Sequence, residues 1–179
     1  IQHIRNQLEV IEGSLLDDAL LRRVLADHRP NEIYNFAARA SSSQLLTDPT
    51  LTAEYNGLGV VRLLEAIRTV DPGIRFCQAS SSEMFGTAAQ SPQHELTPFR
   101  PRNPYGVAKL FAHGMVDTYR ENFGVFGCAA ILFNHESPRR GPEFVTRKIT
   151  MGVARIRAGL TRLLPLGDLD VTRDWGFAG

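Results

Sequence analysis

The sequence predicts an α/β protein built on a doubly wound parallel sheet. Short apolar runs alternate along the chain with segments in which apolar residues recur at helical spacing. The connections are short, and polar residues cluster just after several of the apolar runs. Such alternation is typical of strand–helix–strand units whose sheet is covered on both faces. Ligands of these sheets bind at the carboxyl ends of the strands, so a site is expected in those loops.

The first half of the chain is predicted to contain two strands and two helices. Residues 8–13 (LEVIEG) form a short apolar run typical of a strand. Residues 15–28 are predicted to be helical because apolar side chains recur on one face: Leu16, Leu20, Leu21, Val24 and Leu25. A compact apolar run at 31–38 predicts the next strand. A long helix is predicted over 49–70, because Pro49 suits a first turn.

Gly57 and Gly59 lie inside that long helix, where glycine lowers stability, so they indicate close packing against another element. The next elements are predicted to be a buried strand at 74–80, a helix at 104–122 and a strand at 125–133. The chain is then predicted to end with a helix at 143–159 and a short strand at 163–167.

Composition excludes several classes of protein. The 179 residues are 43% apolar and 22% charged, which is typical of a globular domain. The net charge of +1 gives no general attraction to nucleic acid or membrane surfaces, and no apolar run approaches the ~20 residues that span a bilayer. Cys77 and Cys128 each lie in an apolar run, which predicts buried free thiols and a cytoplasmic protein.

Three of the predicted loops carry candidate site residues. The small residues of 37–44 would let a ligand approach the backbone, although a plain polar loop is the alternative. The segment 80–86 holds three serines and a carboxylate, which a serine-capped turn would also explain. The basic loop within 134–148, with Arg139 and Arg140 before a helix, favours an anion site over a solvated charged loop.

Tyr105 and Lys109 lie four residues apart and so one turn apart on a single helix face. A solvated surface pair is the simplest interpretation. The alternative is a proton-transferring tyrosine whose pKa is lowered by the neighbouring ammonium. The second interpretation gains weight because the serine-rich loop at 80–86 is expected at the same rim of the sheet.

Four stretches resemble the GDP-mannose 4,6-dehydratases, a family of the extended short-chain dehydrogenase/reductase superfamily: QASSSEMFG, RPRNPYGVAK, ILFNHESPRRGPEFVTRKI and LGDLDVTRDWG. The resemblance implies an incomplete Rossmann-like fold. Residues 1–179 would form part of an NAD(P)-binding domain, with the substrate-binding region starting at about residue 134. The family's first strand and glycine-rich loop are then expected upstream of residue 1, so the chain is expected to be part of a longer protein.

The resemblance also implies site residues, position by position. Those implied in catalysis are Ser81, Glu83, Tyr105 and Lys109. Those implied in cofactor binding are Phe36, Ala37, Ala38, Lys109, His135 and Arg140. Those implied in substrate binding are Asn134, Thr146, Arg147, Lys148 and Arg173. No metal is implied.

The implied reaction is the dehydration of a nucleotide-sugar, GDP-mannose, with NADP rather than NAD as cofactor. Tyr105 would take the proton of the carbon-4 hydroxyl as a hydride leaves, and Ser81 would hydrogen-bond that oxygen. Glu83 would then remove the carbon-5 proton and protonate the departing carbon-6 hydroxyl before the hydride returns to carbon 6. No nucleic acid or membrane partner is implied, and a homo-oligomer is expected through the helices at 49–70 and 104–122.

The sequence departs from the family pattern at several positions. Serine replaces the usual threonine at Ser81 and can form the same hydrogen bond. Other differences fall on the expected cofactor side: Ser14, Ala40, Ser41 and Leu51. Two alternative functions therefore stay open: an epimerase or 4-ketoreductase on the same scaffold, and an inactive fragment. Glu83 favours the dehydratase, because only elimination needs an acid at that position.

Overall fold

The computed structural model describes residues 2–40 and 47–178, and the chain divides into two compact units, one up to Ala130 and one from Ile131 onward. The helices are α1 Asp18–His28, α2 Pro49–Ala53, α3 Gly59–Val70, α4 Pro104–Phe123 and α5 Val145–Arg157. The strands are β1 Glu32–Asn35, β2 Arg75–Ser81, β3 Gly127–Leu132, β4 Asn134–Glu136 and β5 Trp175–Phe177. A π-helical turn, Glu54–Leu58, joins α2 to α3, and short 3₁₀ turns cover Gln2–Gln7 and Ser82–Met84.

Capping residues explain where the helices begin and end. The Asp17 carboxylate accepts a hydrogen bond from the third amide of the α1 start, and Asp48 does the same for α2. Asn103 caps α4, whose first residue is Pro104. Gly124 ends α4 with a φ of 68°, a left-handed conformation that glycine adopts without steric cost.

The sheet of the first unit has the strand order β1-β2-β3. β1 and β2 are parallel, and their register places Asn35 opposite Gln78. The carboxyl half of β2 is buried, so the residues that follow it start from a fixed position. In the second unit β4 and β5 form a parallel pair, in which Asn134 lies opposite Trp175.

The core of the first unit lies between α3, β2 and α4. Its fully buried apolar side chains include Val60, Leu64, Ile67, Ile74, Phe76, Val116 and Val125. Burying a side chain of this size contributes about 1.5–3 kcal/mol. The predicted close approach at the two helix glycines is confirmed: a Cβ at Gly57 would lie 3.2 Å from Phe111, and one at Gly59 would lie 3.0 Å from Leu15.

Two predicted strands are wrong. Residues 8–13 and 163–167 form neither helix nor strand. An apolar run becomes a strand only if another strand satisfies its backbone hydrogen bonds, and none of the described strands pairs with either run. Val10 is 65% exposed and Leu163 is 80% exposed, so neither run is part of the core.

The prediction of two buried thiols is also wrong. Cys77 on β2 is partly buried, whereas Cys128 on β3 is exposed, and both are free. Strands alternate their side chains between two faces, so a residue in an apolar run can still point to an open face. Part of the predicted loop 37–44, including Ser41, lies outside the described residues. No helix in the described ranges is long and apolar enough to cross a bilayer.

Candidate functional site

The start of α4 holds Tyr105 and Lys109 against the end of β2. The Asn103 side-chain oxygen accepts a hydrogen bond of 2.7 Å from the Gly106 amide, which fixes the first turn. A Cβ at Gly106 would lie only 2.6 Å from the carbonyl oxygen of Glu83. The absence of a side chain at Gly106 therefore lets the helix start press directly on the backbone after β2.

The last residue of β2 supplies a hydroxyl, and the short turn that follows supplies a carboxylate. Ser81 caps the short turn Ser82–Met84, and its hydroxyl accepts a hydrogen bond from the Glu83 amide at 3.2 Å. The Glu83 side chain is exposed. The Asn103 side-chain amide donates to its Oε2 at 2.8 Å, so the carboxylate is held beside the start of α4.

Lys109 is buried beside Tyr105. Its ammonium donates to the carbonyl oxygen of Ala79 at 2.8 Å and lies 5.6 Å from the centre of the Tyr105 ring. The side chain is 2% exposed. Because burial disfavours the charged form, the pKa of Lys109 falls from 10.5 to about 8.

The predicted lowering of the Tyr105 pKa is wrong for this structure. Burial raises the pKa of the phenol, and the Glu83 carboxylate adds to the rise. A hydrogen bond with Ser81 acts in the opposite direction. The one-turn spacing predicted the ammonium correctly as a neighbour of the ring, but burial of the phenol is the largest influence on its pKa.

The loop after β1 is held from both sides. The Asn35 side-chain oxygen accepts from the Ala37 amide at 3.2 Å. Asn56, in the π-helical turn, binds both backbone groups of Arg39, at 2.9 Å to the N–H and 3.0 Å to the carbonyl. The predicted cofactor residues Phe36, Ala37 and Ala38 are exposed on this fixed segment. The small side chains of Ala37 and Ala38 leave the backbone of this fixed segment accessible to a ligand.

The second unit contains the remaining predicted residues. The predicted helix over 143–159 is observed as α5, and the basic loop predicted before it begins with an unpredicted strand, β4. The Glu136 carboxylate of β4 accepts a hydrogen bond from the Thr146 hydroxyl and lies 3.4 Å from Nε of Arg140. The Arg140 guanidinium stacks 3.5 Å from the centre of the Phe144 ring. The predicted anion-binding arginine is therefore already engaged by a carboxylate and an aromatic ring.

The other predicted residues of this unit lie on β4, just before β5 and on the first turn of α5. Asn134 and His135 lie on β4, directly beside β5. Arg173 lies just before β5, and its guanidinium donates to the Thr172 carbonyl at 3.0 Å. Three half-buried residues lie on the first turn of α5: Thr146, Arg147 and Lys148. A cavity of about 320 Å³ next to this helix is lined by Lys148, Met151, Gly152, Arg155 and Leu164, among others.

Two residues of the first-unit site were not assigned from the sequence. Asn103 and Gly106 fix the helix start and the Glu83 carboxylate, as described above. A signal for Asn103 was present, since an asparagine followed by proline at a helix start is typical of a cap. No sequence signal marks the contact between Gly106 and Glu83, because it joins residues 23 positions apart.

Sequence comparisons with known proteins agree on one family. A sequence profile for the family described as GDP-mannose 4,6 dehydratase matches residues 1–179. A GDP-mannose 4,6-dehydratase of Vibrio cholerae is 46% identical over 98% of this chain and 48% of its own length. GDP-mannose 4,6 dehydratase 2 of Arabidopsis thaliana is 50% identical over 93% of this chain and 46% of its own length. The chain thus spans about half the length of the curated relatives that it matches.

Solved structures share the fold. RMD from Pseudomonas aeruginosa, solved with NADPH, has a TM-score of 0.86 at 28% identity, over 98% of this chain and 63% of that one. The dTDP-glucose 4,6-dehydratase DesIV from Streptomyces venezuelae, solved with NAD and TYD, has a TM-score of 0.81 at 25% identity. That match covers 93% of this chain and 50% of DesIV. These neighbours agree with the predicted Rossmann-like α/β fold and with an incomplete sheet.

Proposed function

The chain belongs to the GDP-mannose 4,6-dehydratase family, and from that membership we propose that the protein dehydrates GDP-mannose to GDP-4-keto-6-deoxymannose with NADP as its cofactor. The observation that carries this proposal is one cluster at the end of β2, formed by Ser81, Glu83, Tyr105 and Lys109. Hydroxyl, carboxylate, phenol and ammonium are the groups that oxidation at one carbon and elimination at the next two require.

Tyr105 is proposed to take the proton of the carbon-4 hydroxyl. The phenol shares a hydrogen bond with Ser81, which favours the phenolate and would also orient the sugar oxygen between the two side chains. Burial works against the phenolate, so deprotonation is expected to require additional positive charge at the site. The Lys109 ammonium, which lies 5.6 Å from the centre of the Tyr105 ring, would supply part of this positive charge.

Glu83 is proposed to perform the elimination. Its carboxylate is exposed toward solvent and is oriented by the Asn103 side-chain amide. An accessible carboxylate that is held in one orientation can remove the carbon-5 proton and then deliver a proton to the carbon-6 hydroxyl as water leaves. Positioned acid–base groups of this kind typically contribute about 10²–10⁴-fold in rate.

The proposed cofactor residues of the first unit are Phe36, Ala37, Ala38 and Lys109. An oxidised nicotinamide supplies a temporary acceptor for the carbon-4 hydride, which is returned at carbon 6. Lys109 would bind the ribose hydroxyls through the hydrogens that are not donated to Ala79. His135 and Arg140, in the second unit, are the other residues proposed for cofactor binding. NADP is favoured over NAD because RMD was solved with NADPH.

The substrate residues are proposed to lie in the second unit: Asn134, Thr146, Arg147, Lys148 and Arg173. Of these residues, Lys148 lines the cavity of about 320 Å³ beside α5, and the cationic side chain of Arg155 lines it as well. Ammonium and guanidinium groups bind phosphate oxygens, and arginine does so in a bidentate way. A nucleoside diphosphate fits this combination of charges.

A homo-oligomer in the cytoplasm is also proposed. An apolar groove of about 720 Å³ runs between the α2–π-turn segment and α4. Three exposed apolar side chains line it: Leu58, Val107 and Phe111. A concave apolar surface of this size on two helices suits packing against a second copy of the same helices.

Replacement of Glu83 tests the proposed function directly. In Glu83→Gln the amide keeps the size of the side chain but cannot remove a proton. We expect the rate of GDP-mannose dehydration to fall by about 10²–10⁴-fold, while NADPH binding, followed by nicotinamide fluorescence, is unchanged.

Glu121→Gln is the matched control, since Glu121 is an exposed glutamate at the far end of α4. Undiminished 4-keto-6-deoxy product from Glu83→Gln would overturn the assignment. Wild-type protein that yields an epimer, or that consumes NADPH stoichiometrically, would instead support the epimerase or reductase alternative.

A further inference from the structure

A continuous line of hydrogen bonds crosses the sheet from the loop after β1 to Lys109. The Ala37 amide donates to Asn35, and the Asn35 side-chain amide donates to Oε1 of Gln78 at 2.8 Å. The Gln78 side-chain amide donates to the Ala79 carbonyl at 2.9 Å, and Lys109 donates to the same oxygen at 2.8 Å. The line therefore begins at a segment proposed to bind the cofactor and ends at a lysine proposed to bind it as well.

The direction of every bond in this line is determined by its two ends. The Ala37 N–H can only donate and the Ala79 carbonyl can only accept. With a donor at one end and an acceptor at the other, neither the Asn35 nor the Gln78 amide can be turned over without loss of hydrogen bonds. The two amides therefore have one orientation, and they hold both ends of the line in one geometry.

Burying two side-chain amides at these positions costs free energy unless both are hydrogen-bonded. Asn35 and Gln78 lie opposite each other in the parallel β1–β2 ladder, and they are 5% and 0% exposed. Apolar side chains of similar size would fill the same space without any need for partners. An apolar pair could not, however, bind the Ala37 amide or the second lone pair of the Ala79 carbonyl oxygen.

We propose that Asn35 and Gln78 are positioning residues, which fix the Ala37 backbone and the Lys109 ammonium relative to each other so that both meet the cofactor at once. This proposal rests on the proposed function. It adds to the residues proposed to touch the cofactor a cross-strand pair that acts on it only through them. Small displacements of such groups reduce turnover strongly, because a reacting geometry tolerates errors well below 1 Å.

The test compares three variants of the complete protein: Asn35→Leu, Gln78→Met and the double variant. Each single variant leaves one buried amide without its partner, so the midpoint of thermal unfolding is expected to fall. In the double variant two apolar side chains face each other, and most of that stability is expected to return. A positioning role predicts that activity does not return with it.

The readouts are kcat for GDP-mannose dehydration and the Kd for NADPH from fluorescence titration. In the double variant we expect kcat at least about tenfold below wild type and weakened NADPH binding. Thr52→Val is the control, since Thr52 is fully buried and donates to the Asp48 carbonyl, outside this line. Its kcat and Kd are expected to match wild type.

Two outcomes separate this proposal from the one it rests on. If kcat and NADPH affinity recover in the double variant together with the unfolding midpoint, the pair is merely structural and the positioning role is overturned. If the wild-type protein itself neither binds NADPH nor dehydrates GDP-mannose, the proposed function fails, and the positioning role fails with it.

Discussion

Lys109 keeps an ammonium group in a place that water barely reaches. Its hydrogen-bond partner is the neutral carbonyl of Ala79, and burial lowers its pKa to about 8. A carbonyl dipole compensates a buried charge less well than a carboxylate does. The charged lysine is therefore a local cost to folding at neutral pH, of the kind that active sites often contain.

This cost predicts a pH dependence of stability. Between pH 8 and the ordinary pKa of 10.5, Lys109 is neutral in the folded protein but still protonated in the unfolded chain. The unfolded state then binds more protons, so the free energy of unfolding rises with pH across this interval, by about 3 kcal/mol in full. Below pH 8 the lysine contributes no slope, because both states are protonated.

Lys109→Met removes the charge and is expected to remove this rise. The measurement is urea unfolding of wild type and variant at pH 7, 8 and 9.5. The free energy of unfolding of the wild type is expected to rise relative to that of the variant as pH increases. A difference that stays constant over this range would show that the lysine is not desolvated.

At the residue scale the sequence predicted which side chains lie together but not their environment. Ser81, Glu83, Tyr105 and Lys109 lie together, as the loop positions and the one-turn spacing indicated. The direction of the Tyr105 pKa shift could not be predicted, because it depends on how much of the phenol is buried.

At the scale of elements, α4 aligns the site along one helix face. Lys109 donates to Ala79, and one turn further His113 is hydrogen-bonded to the Ser80 hydroxyl at 3.1 Å. The His113 ring also packs edge-on against Phe99 at 5.4 Å between centres. Successive turns of α4 therefore contact successive residues at the end of β2, so helix and strand end form one rigid support.

The contact at Gly106 predicts how sensitive this support is. In Gly106→Ala the new Cβ would lie 2.6 Å from the Glu83 carbonyl oxygen, and a backbone atom cannot rotate away. We expect a loss of about 1–3 kcal/mol in unfolding free energy and a fall of at least about tenfold in kcat as Glu83 moves.

Gly114→Ala on the same helix is the matched control. Nothing lies within 4 Å of a Cβ at Gly114, so this variant is expected to gain about 0.5–1 kcal/mol from helix propensity and to keep its activity. Equal effects of the two substitutions on unfolding and kcat would contradict the close contact at the start of α4.

Elements with strong local signals were predicted well from the sequence. The helix predicted at 104–122 is observed at Pro104–Phe123, because a proline marks its start and a glycine follows its end. The three-residue strands β4 and β5 were missed, because such short segments show no periodicity and their pairing joins residues about 40 positions apart. The π-helical turn in the long helix also has no local signal.

At the scale of the whole molecule, the apolar groove beside α4 predicts assembly. Val107 is 54% exposed and lines this groove. Val107→Glu places a charge on a surface proposed to be buried between copies, so it is expected to shift the protein to a smaller species in analytical ultracentrifugation. Leu96→Glu is the control, since Leu96 is 86% exposed and lies outside the groove.

The proposed site residues are divided between the two units of the chain. The first unit contains the cluster at the end of β2 and the loop after β1, and the second contains the β4–β5 pair and the cavity beside α5. Substitutions proposed for catalysis therefore belong to one unit and those proposed for the nucleotide-sugar to the other. Substitutions in the first unit are therefore expected to change mainly kcat, and those in the second unit mainly substrate affinity.

The side chain of Asn103 serves both the fold and the proposed chemistry. Its oxygen starts α4 and its nitrogen holds the Glu83 carboxylate. Aspartate in its place would still cap the helix but would repel the Glu83 carboxylate. Alanine would neither cap the helix nor hold the carboxylate. Because one amide serves both needs, position 103 accepts fewer replacements than either contact alone would allow, and a variant that loses the helix start also loses the orientation of the acid.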